Sequence, residues 1–255
     1  MVSPLWMNKK IINKNNGFSL IELSIVLIIM GLIIAGALAG NDLLNTAKLR
    51  AVVSETSEYV TAIHNFKIQY EGLPGDLKTA SSFWTTAQNG GTAVQNGDGN
   101  SRIGTGASSD KAEPYYAWNH LSLSKYLPGT FTGSSAANAT IGVNIPGSKY
   151  IASLGYGINY FTVPTYTDAL SRQTVGNIIT IGKGTTDAYP SGAIFTPSDA
   201  LYLDEKMDEG TPDSGKIFSF AGNDSSNCTT GSGQSYTYNT TNTSSACMLW
   251  LLTDM

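Results

Sequence analysis

The chain has 255 residues, a formal net charge of −4 and only 13% charged residues. An acidic, sparsely charged chain is a poor bulk ligand for nucleic acid, whose phosphates need Lys and Arg to neutralise them. Residues 72–255 suffice for one sizeable globular domain, and 27 Gly and 13 Tyr give it the Gly/Ser/Thr/Asn-rich look of an extracellular β-rich surface.

Residues 1–16 carry Lys9, Lys10 and Lys14 and no acid, which keeps this end cytoplasmic by the positive-inside bias. Gly17-Phe18-Ser19-Leu20-Ile21-Glu22 follows, and then the apolar run Leu23–Ala39. At 1.5 Å per residue Phe18–Gly40 is roughly 35 Å, enough to span a bilayer. A carboxylate costs about 2.5–3.5 kcal/mol at the bilayer centre and less near the interface, so Glu22 calls for a partner. A secretory signal would place its small-residue cleavage site after an apolar core of about 7–15 residues. Here the candidate cleavage site precedes the apolar segment, which therefore stays in the mature chain.

Basic leader, glycine, phenylalanine, acid and membrane run together resemble the processing site of the type IV prepilin and type II secretion pseudopilin superfamily. The resemblance covers about the first fifty residues. It implies cleavage of the Gly17–Phe18 bond, N-methylation of Phe18, and an assembly role for Glu22. The start stays open between Met1 and Met7, which opens an ordinary leader of its own. It further implies prepilin peptidase, other pilin or pseudopilin subunits, an inner-membrane assembly platform and membrane lipid as partners. Removing residues 1–17 leaves 12 basic and 19 acidic residues and a net charge of −7. Cleavage would free an α-amino group with a pKa near 8, cationic at neutral pH, four residues from Glu22. In a filament Glu22 of one subunit could then pair with the Phe18 amine of its neighbour; the plain alternative is an acid that snorkels to the interface of a simple anchor.

From Asn41 to Tyr70 there is no proline or glycine, and Leu44, Leu49, Val53, Val60, Ile63, Phe66 and Tyr70 recur at helical steps. The pattern predicts one helix from Phe18 to Glu71, about 80 Å long, apolar all round in its first half and amphipathic in its second. Gly72 is its expected stop, with Pro74 beyond. Gly36-x-x-x-Gly40 fits close helix packing, and chance explains such a match in a Gly/Ala-rich span equally well. The expected organisation is therefore leader 1–17, membrane or filament-core helix 18–40, amphipathic continuation 41–71 and head 72–255.

In the head, Asp76–Thr86 reads as a helical turn burying Phe83 and Trp84. Pro114–Leu127 reads as a helix with Trp118, Leu121 and Tyr126 or Leu127 inward, and Thr196-Pro197-Ser198-Asp199 as the start of another running to about Met207. Strands are expected at Tyr150–Leu154, Gly157–Val163, Asn177–Ile181, Ala193–Phe195, Ile217–Phe220, Tyr236–Tyr238 and Met248–Leu252. A long helix followed by meandering strands is an α+β roll with an antiparallel sheet.

The only cysteines, Cys228 and Cys247, lie beyond the membrane, where an oxidising exterior would join them. On the chain-entropy model, closing their loop of 18 intervening residues is worth about 3 kcal/mol. Calcium is the cofactor that the sequence brings into view. Asn96, Asp98 and Asn100 alternate as in calcium loops, although Ser101 replaces the usual glycine and Ala107 the bidentate acid. Asp204, Asp208, Glu209 and Asp213 belong to a stretch with five acids in ten residues, which need solvation or a bridging cation. An Asn/Asp/Gly turn chosen for positive φ explains the first loop without metal.

Enzyme motifs are missing from the sequence: no Gly-x-Ser-x-Gly, no Walker loop, no His-Glu-x-x-His. His64 and His120 read as packing or surface residues. The expectation is a structural filament subunit, a minor pilin or pseudopilin, anchored in the inner membrane with its head outside, then carried into a pilus or pseudopilus. The alternative is a membrane-anchored adhesin or ligand-binding module using the same N-terminus as a tether.

Overall fold

The computed structural model describes residues 17–85, 93–104, 112–133, 138–161, 176–232 and 235–253. Residues 1–16 of the expected leader, and Thr86, Ala107 and Val163, lie outside them. The protein is α+β. Helix α1 (Leu20–Tyr70) is followed by α2 (Ala80–Phe83), α3 (Glu113–Leu123), β1 (Leu154–Phe161), β2 (Gly176–Lys183), α4 (Pro197–Met207), β3 (Ile217–Ala221), β4 (Thr229–Ser232), β5 (Ser235–Tyr238) and β6 (Cys247–Leu252). One compact unit ends at Thr46 and a second begins at Ala47, so the boundary falls inside α1.

In the first unit the large apolar side chains from Leu20 to Leu44 are all exposed. The helix there is held by its own backbone bonds and a few local side-chain bonds, such as those of Ser24 to the Ile21 carbonyl and Thr46 to the Asp42 carbonyl. Its 18-residue window of mean hydropathy 2.6 is long and apolar enough to cross a membrane, and none of that window is buried.

In the second unit, four antiparallel strands stand in the order β1-β2-β6-β3, and β4 pairs with β5 as a separate ribbon. Alternation with period two divides the sheet cleanly. Tyr156, Ile158, Ile179, Ile181, Ile217 and Leu249 join one core with Val52, Tyr59, Ile63 and Phe66 of α1 and with Trp118 and Leu121 of α3. Tyr59 meets both Trp118 and Tyr156 edge-on, at 5.3 and 4.7 Å between ring centres. Ile178, Phe218, Met248 and Trp250 form a second, smaller cluster on the opposite face.

The buried stripe of α1 is broader than the sequence reading: Leu49, Ile63 and Phe66 are buried as expected, Val53, Val60 and Tyr70 pack half-buried against the same core, Val52 and Tyr59 are buried beside them, and Leu44 is exposed. Glu55, expected on the polar side, is buried because the Tyr156 hydroxyl (2.7 Å) and the Lys149 amide (2.9 Å) both donate to it. The helix ends one residue early, with Glu71 rather than Gly72 in the left-handed region (φ 53°).

Helix α4 begins as expected, with the Thr196 side chain accepting from the Asp199 amide and Pro197 in the first turn. Helix α3 stops at Leu123 instead of Leu127. Lys125 turns left-handed, and the Tyr126 and Leu127 amides both donate to the Leu121 carbonyl, which still carries Leu127 inward. Helix α2 is only four residues long, and Phe83 is 54% exposed rather than buried. Residues 150–153 form turns, because the Ser148 hydroxyl accepts from the Tyr150 and Ile151 amides and Ser153 has φ 66°. Ala193–Phe195 makes a single bridge to Cys247 rather than a strand, since Pro197 opens α4 directly after it. Strand β4, Thr-Thr-Gly-Ser, has no apolar alternation to announce it.

Candidate functional sites at the helix start and the acidic junction

Gly17, Phe18 and Ser19 precede the helix in non-helical backbone, and Phe18 is 90% exposed. The Ser19 amide donates to Glu22 Oε2 at 2.9 Å, and the Ile21 amide reaches the Ser19 hydroxyl at 3.4 Å. Ser19 is thus the N-cap and Glu22 the third helical residue of a capping box, which satisfies amides that the first turn leaves without partners. The Ser-x-x-Glu spacing carried this signal, although the sequence reading passed over it. An added Cβ at Gly31, Gly36 or Gly40 would meet nothing within 4 Å, so no contact within the described chain requires glycine there.

In the head, the turn after α1, the loop 94–104 and the start of α3 meet over three carboxylates. One oxygen from each of Asp76, Asp98 and Glu113 lies within 4.8 Å of the others, and Asp76 and Glu113 are buried. Gly75 makes the approach feasible. It has φ +88°, and a Cβ would run into the Glu113 carbonyl. Asp76 accepts from the Asn100 and Ser101 amides at 3.0 and 2.8 Å. Glu113 accepts from the Asp98 and Gly104 amides, both at 3.0 Å. The fully buried His120 closes the junction: its Nδ1 accepts from the Gly75 amide and its Nε2 faces the Gln95 carbonyl, each at 3.0 Å.

Burial pushes Glu113 up to about 7, against the two amides that favour its charged form and with the neighbouring Asp76 and Asp98 charges adding to the rise. Burial likewise raises Asp76 to about 6, a hydrogen bond with Asp98 contributing. Desolvation lowers His120 to about 4, so the ring is neutral, with its proton on the nitrogen facing Gln95.

These three carboxylates are the group, among the described residues, that could hold a metal ion, and their all-oxygen character suits a hard divalent cation such as calcium. Only Asp98 of the predicted loop belongs to it. The side-chain oxygens of Asn96 and Asn100 accept instead from the Ser81 and Arg102 amides, both at 2.8 Å. Glu113, fifteen residues beyond Asp98, was not found in the sequence, because only the docking of α3 brings it there.

The acids of 204–213 do not gather in this way. Asp204 is wholly buried and accepts from the Tyr238 hydroxyl at 2.6 Å and the Gly210 amide at 3.2 Å; burial raises it to about 6, opposed by the Tyr238 bond. Asp208 accepts from the Lys216 and Ile217 amides, Glu209 from the Ser214 hydroxyl, and Asp213 is buried. The density of charge is used one acid at a time to tie the loop to β3 and β5. Cys228 and Cys247 form the expected disulfide, with Cα atoms 4.9 Å apart, fixing the start of the β4–β5 ribbon to β6.

An apolar helix that no described side chain covers, with a capped acid at its start, fits a membrane-anchoring N-terminus. The prokaryotic N-terminal methylation motif matches residues 12–38, the signature of type IV prepilins and pseudopilins. No curated protein and no solved structure matches the chain.

Proposed function

We propose that the protein is a structural subunit of a type IV pilus or a type II secretion-type pseudopilus, in the manner of a minor pilin. Prepilin peptidase cleaves Gly17–Phe18 and methylates the Phe18 amine. The mature subunit waits in the inner membrane with its head outside and then enters the filament through its apolar helix. The observation that carries this reading is the methylation motif placed on a helix whose apolar surface finds no cover among the described residues. Such a surface needs lipid before assembly and other helices after it. Glu22, which accepts from the Ser19 amide, keeps acceptor capacity for the Phe18 amine of a neighbour.

The test is mass spectrometry of the N-terminal peptide in sheared surface filaments and in membranes. A methylated Phe18 peptide abundant in the sheared fraction supports a pilus subunit; a processed peptide confined to membranes supports a short pseudopilus. An uncleaved Gly17–Phe18 bond in cells with active peptidase overturns the reading. For calcium, the candidate ligands become Asp76, Asp98 and Glu113, of which the sequence had offered only Asp98.

A further inference from the structure

The capping box at the start of α1 holds Glu22 beside the backbone atom that cleavage of Gly17–Phe18 would turn into a cation. Glu22 Oε2 accepts from the Ser19 amide at 2.9 Å. The Ile21 amide reaches the Ser19 hydroxyl at 3.4 Å, and the Leu23 amide donates to the Ser19 carbonyl at 3.1 Å. Ser19 is thus tied at its amide, its side chain and its carbonyl. The carboxylate is turned back toward the residue that precedes the cap.

That residue is Phe18. Covalent geometry puts the nitrogens of adjacent residues only about 3–4 Å apart, whatever the torsion between them. A carboxylate bonded to the Ser19 nitrogen therefore stands within a small side-chain adjustment of the Phe18 nitrogen. The capping bond uses Oε2, which leaves Oε1 for a second donor.

In the uncleaved chain the Phe18 nitrogen belongs to a neutral peptide bond. Hydrolysis takes up one water, sends the Gly17 carboxylate away with the leader and leaves Phe18 with an amine that is an ammonium at neutral pH. The positive end of the helix dipole and the exposed apolar side chains of Leu20, Ile21 and Leu23 make this a poor place for a lone cation. Between Gly17 and Gly40, Glu22 is the only charged side chain. It is on the same chain, and the cap already orders the backbone between the two charges. A partner on a second chain is absent until subunits meet.

We propose that cleavage closes an ion pair within the subunit, from the Phe18 ammonium to Glu22 Oε1, with Ser19 as the positioning residue. The inference rests on the pilin reading and on cleavage at Gly17–Phe18. The pair makes the start of α1 electrically neutral while the subunit is alone in the membrane. Filament entry exchanges it, Glu22 passing from its own Phe18 amine to that of a neighbour. The pair forms on processing, since the precursor has no charge at the Phe18 nitrogen.

The test is a solid-state NMR distance in the full processed chain, carrying nitrogen-15 phenylalanine and carbon-13 carboxyl glutamate. The labelled chain is diluted among unlabelled chains in phospholipid vesicles, so that only contacts within one chain are seen. The terminal amine resolves from the backbone amides. Its dephasing by a carboxyl carbon at about 4 Å is expected, with loss in Glu22→Gln, partial loss in Ser19→Ala and retention in Ser19→Thr. In filaments the contact within a chain is expected to vanish, and one between separately labelled chains to appear. No dephasing in the dilute cleaved chain overturns the intrachain pair and leaves the filament reading standing. Unchanged dephasing in Ser19→Ala overturns the role of Ser19, and a contact within the chain that persists in filaments overturns the exchange. A chain that stays uncleaved beside active peptidase shows no terminal amine at Phe18, and overturns the filament reading instead.

Discussion

Helix α1 holds two acids among apolar neighbours, and the two are treated in opposite ways. Glu55, in the half that belongs to the head, is 4% exposed and accepts from Tyr156 and from the Lys149 amide. Glu22, in the half that ends at Thr46, is exposed and answers only the amide of its own N-cap. A buried carboxylate with fixed internal donors is a fastening, and removing it strands those donors. A carboxylate on an apolar helix without internal cover is complementary to something outside the chain. On the proposed function, one helix serves folding at one end and association at the other.

The sharpest way to break this comparison is Glu22→Ala. It is expected to abolish incorporation into filaments while leaving the melting of the head unchanged, read by immunoblot of sheared fractions and by thermal denaturation of the detergent-solubilised chain. Equal incorporation of the variant and the unsubstituted protein would reduce α1 to a plain anchor. Replacing both Cys228 and Cys247 by Ser comes next: loss of the cross-link is expected to cost the head about 3 kcal/mol, measured by denaturant unfolding, with membrane insertion unaffected. Glu55→Ala is expected to destabilise the head by about 2–3 kcal/mol, because the Tyr156 hydroxyl and the Lys149 amide both lose their acceptor. If Glu55→Ala instead blocked assembly without lowering the melting temperature, the division of labour along the helix would be wrong.

The smallest effect is a pH slope. Asp76, Glu113 and Asp204 have folded values raised to about 6, 7 and 6. The folded head therefore binds protons that the unfolded chain has already released. Their stabilisation is fullest below the ordinary carboxylate range and is lost as pH rises through about 6–7. In chelator-treated buffer the melting temperature should fall from pH 5 to pH 8, and Asp98→Asn should flatten that fall by removing a like charge. Asp187 and Asp224, lowered by hydrogen bonds from Ser191 and Lys183, act only further to the acid side. A flat profile in the unsubstituted protein would mean that the junction is already compensated.

Local signals carried much of this in the sequence. The apolar run, the Thr196-Pro197 helix start and the alternation in β2, β3 and β6 are properties of neighbouring residues, and each appears where the pattern put it. The α1 stripe came out broader than its apolar residues suggested because Glu55 is buried with them, the docked sheet bringing Tyr156 to meet the acid. The acidic junction was half legible. Asp98 sits in an evident Asp/Gly loop, but Glu113 joins it only through the packing of α3, and no spacing rule reaches across those fifteen residues. In residues 204–213 crowded acids suggest a shared ion, whereas Asp204, Asp208 and Glu209 each accept from separate backbone or hydroxyl donors.

The capping box has a consequence for maturation. It fixes the first helical residue at Leu20, leaving the Gly17–Phe18 bond N-terminal to the Ser19 carbonyl, the first acceptor of the helix. A protease that reads extended substrate would find this bond already unwound, with a glycine that imposes no side chain on the approach. On the proposed cleavage at Gly17–Phe18, shortening that spacing by one residue would draw the scissile peptide toward the first turn and is expected to slow processing.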